Sequence, residues 1–363
     1  MSSNATLGVE TRARKRTRER RDANAANAGE AIPGLLNDIV VTHVLRSEHF
    51  ADPADLARLP AVSCAMRDVV AATGLAFEEL DELDAVNLGC LSALKRLQRR
   101  GHLSRQKYLC WAAARGGHLE VLQWARANGC PWDEMTCKGA ALSGSLEVLQ
   151  WLRANGCPWN EYTSSWAARG GHFEVLQWAR ANGCPWNERT CEAAAVHGHL
   201  EVLQWARANG CPWDEETCSY AASEGHLEVL QWARANGCPW DWVTCAYAAE
   251  GGHLEVLQWA RANGCPWNRN TCSSAARVGK LEVLQWARAN GCPWVEETCT
   301  SAASGGHLEV LQWLRVNGCP WNHRTCAFAA QGGHSKLLSW AHANGAPEAC
   351  EEDTVVTIAD ILL

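Results

Sequence analysis

The sequence predicts an all-α fold, a right-handed-type α-solenoid of stacked antiparallel helix pairs with helical caps. Two observations carry this expectation. A tryptophan returns at Trp124, Trp151, Trp178, Trp205, Trp232, Trp259, Trp286, Trp313 and Trp340, a constant step of 27 residues without insertion. A fixed period in this range marks supersecondary units that cannot bury an apolar face alone and do so by stacking on neighbours. Each period also holds two helix-sized stretches closed by glycine turns, and none of the period-two alternation of strands.

One unit, Asp214 to Trp240, stands for the others. Its first helix begins at Asp214, whose carboxylate accepts the free amides of the first turn, while Glu215 and Glu216 favour the positive end of the helix dipole. Asp or Asn holds this cap in seven of eight copies, Val295 being the exception. Cys218, Ala221 and Ala222 are small inward residues that let helices approach closely, and Gly225 turns the chain. The second helix places Val229, Leu230, Trp232 and Ala233 on one stripe, with Glu228, Gln231 and Arg234 between them. It stops at Asn236-Gly237, where glycine takes the left-handed C′ position, and Pro239 prevents continuation. Trp240 and its equivalents Trp132, Trp159, Trp186, Trp213, Trp267, Trp294 and Trp321 are expected to pack over the seam between adjacent units.

These residues resemble the ankyrin repeat family. The run Ala221-Ala222-Ser223-Glu224-Gly225-His226-Leu227-Glu228-Val229-Leu230 is similar to the family's A-A-x-x-G-H-x-x-V-V, and Asn236-Gly237-Cys238-Pro239-Trp240-Asp241 to its N-G-A-D-V-N. The likeness covers roughly three quarters of the chain. The units are shorter than the family's, and Glu216-Thr217-Cys218-Ser219 replaces its T-P-L-H; the missing residues are those of the projecting β-hairpin finger. The resemblance implies a non-enzymatic module that binds a protein partner along the repeat surface.

The array is expected over residues 76–350, with 81–103 as a degenerate capping unit in which Leu97 falls at the Trp place and Gly101 at the Asn place. Beyond it, residues 351–363 read as a C-terminal capping helix. Ahead of it, residues 31–75 carry two amphipathic patterns. Pro33, Leu35, Leu36, Ile39, Val44 and Leu45, followed by Leu56, Leu59, Val62 and Met66, resemble the F-box, which docks onto the Skp-type adaptor of SCF ubiquitin ligases. The resemblance implies an adaptor-binding face of Leu35, Ile39, Leu56, Leu59, Val62 and Met66, on a substrate receptor whose repeats hold the target. Met66 stands where that motif usually has Trp, and Pro60 interrupts the second helix. The other reading is a helical cap over the first repeat. Residues 1–30 read as a disordered basic tail; its Arg12, Arg14, Lys15, Arg16, Arg18, Arg20 and Arg21 are either a nuclear import signal or a solvated charge run.

Composition narrows function further. The formal charge is −7, and residues 1–30 hold seven Lys/Arg against four Asp/Glu, whereas residues 31–88 hold three against ten. A balanced array without a continuous basic stripe is poorly suited to a phosphate backbone, so a nucleic-acid partner is not expected, a nuclear or nucleic-acid-associated scaffold being the third alternative. No stretch has the ~20 apolar residues of a membrane span, and no secretory signal opens the chain, which points to the cytoplasm or nucleus. Most of the 19 Cys recur at two fixed places in each unit and read as packed, reduced thiols. The spacing of Cys130 and Cys137 is not a zinc knuckle, and Ser145, Lys280 and Ser164 replace ligand types, so no metal or other cofactor and no catalytic site is expected.

Function is then sought where near-identical copies differ. The residue before Ala-Ala runs Ala112, Gly139, Trp166, Ala193, Tyr220, Tyr247, Ser274, Ser301, Phe328; the residue four earlier runs Met135, Tyr162, Arg189, Glu216, Val243, Asn270, Glu297, Arg324. Positions four apart share a helix face. Met135, Tyr162, Trp166, Arg189, Tyr220, Tyr247, Arg324 and Phe328 are the candidate partner-binding residues, of types enriched at interface hot spots; the alternative is drift at exposed sites.

Overall fold

The computed structural model describes residues 81–103 and 107–347. The adaptor-type face, the basic tail and the C-terminal capping segment lie outside the described residues. The chain divides into two compact bodies, the first ending at Pro131 and the second beginning at Trp132. In the first, the described helices are Glu82–Asn87, Leu91–Arg99, Lys107–Arg115 and Leu119–Ala127. In the second they form eight pairs: Glu134–Leu142 with Leu146–Ala154, Glu161–Arg169 with Phe173–Ala181, Glu188–Val196 with Leu200–Ala208, Glu215–Ser223 with Leu227–Ala235, Trp242–Gly251 with Leu254–Ala262, Arg269–Arg277 with Leu281–Ala289, Glu296–Ser304 with Leu308–Val316, and His323–Gln331 with Ser335–Ala343. No strand occurs among the described residues. The fold is an all-α, ankyrin-like solenoid of stacked helix pairs.

Both helices of a unit end in the same turn. The amide of Cys238 donates to the Ala233 carbonyl at 3.0 Å and that of Gly237 to Arg234 at 3.1 Å, with Gly237 at φ +84°. After the first helix, the His226 amide donates to Ala221 at 2.9 Å around Gly225, at φ +80°. This is the pattern in which a left-handed glycine satisfies the last helical carbonyls. At the helix starts, the Asp214 side chain accepts from the Glu216 amide at 3.1 Å. Asn187 holds the same place without making that bond, a second exception beside Val295. At Val295, the Thr298 hydroxyl accepts the cap amide instead, at 3.4 Å.

Each first helix of the second body packs on the first helix of the next unit. Cys218, Ala221 and Ala222 have no exposed surface, and neither does Thr217, whose counterparts Thr136, Thr190 and Thr271 are equally enclosed. Side chains this small are what close helix contact requires. Leu230, Ala233 and Cys238 complete the core of the unit. The Trp240 ring is half-buried and spans the seam as expected, meeting Trp259 of the next unit edge-on at 5.9 Å. The Arg234 guanidinium lies over the ring at 4.1 Å and donates to the Cys238 carbonyl, so one guanidinium ties helix, loop and tryptophan together. At the last unit Ala346 takes the place of cysteine, packed with Cys326 and Ala341.

In the first body the degenerate unit departs from the expected register. Gly101, at φ +73°, is itself the left-handed glycine, its amide donating to Gln98 and that of His102 to Leu97. Gly101 therefore matches Gly129, and Leu97 matches Ala125 rather than Trp124. The step here is one residue longer than 27 because the glycine, not the aromatic, fixes where the helix ends.

Candidate functional site

The histidine after each first-helix turn is structural. The Nε2–H of His253 donates to the carbonyl of Ser223 in the preceding unit at 3.0 Å, and its ring lies over Gly225. His172, His199, His226 and His334 make the same bond to Leu142, Arg169, Val196 and Ser304. A carbonyl only accepts, so the bond fixes the proton on Nε2 and uses the ring as a strut. At Lys280 the aliphatic stem covers Gly252 in the same way. The cysteines are packed too. All 17 of the described residues are buried and unbridged. The thiols of Cys191, Cys218 and Cys245 are pushed up, first by the hydrogen bond with the neighbouring thiol (Cys211, Cys238, Cys265) and then by burial, which holds them protonated.

With those positions accounted for, one face remains whose residues differ between units. The candidates Tyr162, Trp166 and Arg189 come together: Arg189 donates to the Tyr162 hydroxyl at 2.6 Å and lies 5.4 Å from its ring. Lys138 sits 3.9 Å from the Trp166 ring, with Arg169 at 5.2 Å. Burial and then Arg169 hold the Lys138 ammonium below its ordinary range. Met135, 42% exposed, touches Lys138 through its sulfur at 4.0 Å. Tyr220 and Tyr247 meet at 6.3 Å between ring centres. Arg324 and Phe328 stand apart, in the last described pair. Trp166, Tyr220, Tyr247 and Phe328 are half-buried, whereas Met135, Tyr162, Arg189 and Arg324 are exposed.

Three open cavities follow this face. One of about 310 Å³ is lined by Tyr162, Trp166, Arg189, Glu192, Ala193 and Tyr220. The next, about 780 Å³, lies between Tyr220, Tyr247, Glu224, Glu250 and Arg277. A third of about 300 Å³ is bounded by Tyr247, Ser274, Arg277 and Ser301. Glu250 and Arg277 bridge at 2.6 Å across consecutive units. The carboxylates of Glu192, Asp214 and Glu216 lie within 4.8 Å of one another. Burial first, then Asp214 and Glu216, push the Glu192 carboxyl up to about 7.

Lys138, Arg169, Glu192, Glu250 and Arg277 were absent from the sequence-derived site. They sit three residues along the helix from the two chosen columns, positions that also share that face. Extending the comparison of copies to those columns would have found them.

Among the described residues no helix is long and apolar enough to cross a membrane. No family model matches the chain, and no curated protein matches it. Among solved structures, the crystal structure of the human ASB11 ankyrin repeat domain is similar, at 17% identity and a TM-score of 0.41, covering 51% of this chain and 98% of that one. The array itself shows small-residue first helices in contact, two left-handed glycine turns per unit, and a side chain that covers the turn glycine of the preceding unit.

Proposed function

We propose that this chain is a non-enzymatic scaffold that binds a protein partner along the first-helix face of residues 132–347. One observation carries the reading. The second helix is kept between copies, its exposed Glu228 and Gln231 included, whereas the positions that differ gather on the first helices, around three open cavities with aromatic and charged walls. Fold requirements act alike on every unit, while a partner touches each unit differently. Cavities rimmed by Trp, Tyr and Arg are where binding energy concentrates at protein interfaces.

The test is the fourfold variant Trp166→Ser, Tyr220→Ser, Tyr247→Ser, Phe328→Ser, using the residue the chain itself carries at Ser274 and Ser301. Each loss of a half-buried ring costs about 1 kcal/mol of stability, whereas each lost hot spot costs about 2 kcal/mol of binding. The expected outcome is a folded helical protein, by circular dichroism, that no longer captures partners held by the parent in a lysate. An unchanged partner set overturns the reading; so does a variant that fails to fold, since the rings would then be core.

A further inference from the structure

We infer that Lys138, Tyr162, Trp166, Arg169 and Arg189 form a docking site for a short acidic segment of a polypeptide partner, whose Asp or Glu carboxylates lie between three cations over two aromatic rings. This rests on the reading of the first-helix face as a binding surface. The three cations come from three consecutive units, so the 27-residue stacking itself assembles the box. None of them is bridged by a carboxylate of the described residues; their partners are the Tyr162 hydroxyl and the rings. Cations held together repel one another, and Lys138 already feels this from Arg169; of the three, only Arg189 has a carboxylate of the described residues near it, that of Glu192. An arriving carboxylate relieves that repulsion and gains hydrogen bonds from guanidinium donors left open.

The same face limits the length of the segment. On the same helix as Arg189, Glu192 meets Asp214 and Glu216 of the next unit within 4.8 Å, and an acidic run extending that far is repelled. The box spans two steps between packed helices, roughly 16–20 Å, which an extended chain covers in about five or six residues. A nucleic acid fits less well, because three cations followed by a carboxylate cluster do not track a phosphate backbone.

The experiment is fluorescence anisotropy on the full chain with four labelled probes: a peptide of four Glu flanked by Gly-Ser, its four-Gln counterpart, a twelve-Glu peptide, and a single-stranded DNA of twelve thymidines. The four-Glu peptide is expected to bind about tenfold or more tightly than the four-Gln peptide, with affinity falling as salt rises. The twelve-Glu peptide should bind no tighter than the four-Glu one. The triple variant Lys138→Gln, Arg169→Gln, Arg189→Gln, in which Arg169 and Arg189 are exposed and Lys138 is half-buried, should keep its helical content and lose the discrimination. A second variant, Arg189→Gln alone, should lose part of it. Equal affinity for the Glu and Gln peptides, unchanged discrimination in the triple variant, or tighter binding of the DNA each overturns the inference. If lysate partners are lost with the fourfold Ser variant but retained by the triple Gln variant, the binding face stands and the acidic segment does not.

Discussion

The left-handed glycines offer a way to measure what the histidine strut contributes. Gly225 and Gly237 sit at nearly the same φ, +80° and +84°, yet a Cβ on Gly225 would lie 2.5 Å from Nδ1 of His253, whereas one on Gly237 meets nothing within 4 Å. Replacing either by Ala forces an L-residue into the left-handed region, costing about 1–2 kcal/mol. At Gly225 the ring must also leave, which forfeits its 3.0 Å bond to the Ser223 carbonyl, about 1 kcal/mol more. Gly237→Ala is therefore expected to cost about 1–2 kcal/mol and Gly225→Ala about 2–3. His253→Ser, which imitates Ser145, should cost about 1 kcal/mol alone and nearly nothing on top of Gly225→Ala, a coupling of about 1 kcal/mol. Urea unfolding followed by circular dichroism gives all four values. Equal costs for the two glycine variants, or strict additivity of Gly225→Ala with His253→Ser, would refute the strut.

Two further outcomes follow from the variable face. The Glu192 carboxyl is raised from its ordinary 4.5 to about 7, so the folded state binds the proton more tightly than the unfolded chain, and the stability it contributes is lost as pH rises through that interval; Glu192→Gln should raise the melting temperature relative to the parent at pH 8 more than at pH 4, and an equal difference at both would contradict this. Ala193→Trp should fill the cavity between Trp166 and Tyr220 with a melting temperature close to the parent's while blocking partner capture; capture as strong as the parent's would remove that cavity from the binding face.

Much of the fold was legible because each unit repeats the same local signals. The period, the Asp or Asn caps, the Gly237-type stops and the Val229, Leu230, Ala233 core all follow from short-range rules. What escaped depends on distance between units. His253 invites comparison with metal ligands when read beside Cys238 and Cys245, since its real partner, the Ser223 carbonyl, is 30 residues away and is a backbone atom. Thr217 reads as a polar first-turn residue and is enclosed only because the neighbouring first helix lies against it. Likewise, Lys138 belongs with Trp166 only once the stacking step is known. The register of residues 81–103 was missed because an aromatic place was aligned where the left-handed glycine decides.

The cavities themselves are a product of that variation, and this links the duplicated sequence to a specific surface. One column holds Trp166, Ala193, Tyr220, Tyr247, Ser274 and Ser301, each at the same place in the first helix of its unit. A small residue between large ones leaves a hole: Ala193 opens the space between Trp166 and Tyr220, and Ser274 with Ser301 opens the space beside Tyr247. Size alternation thus shapes these two cavities, while the charges three residues away decide what the face attracts, cationic around Trp166 and anionic around Glu192. Neither choice touches the buried Cys, Thr and Ala positions that hold the first helices together. A single substitution on this face therefore changes the shape or charge of a binding surface at little cost to the fold. In an ordinary single-core domain, by contrast, residues that line a pocket commonly belong to the core as well.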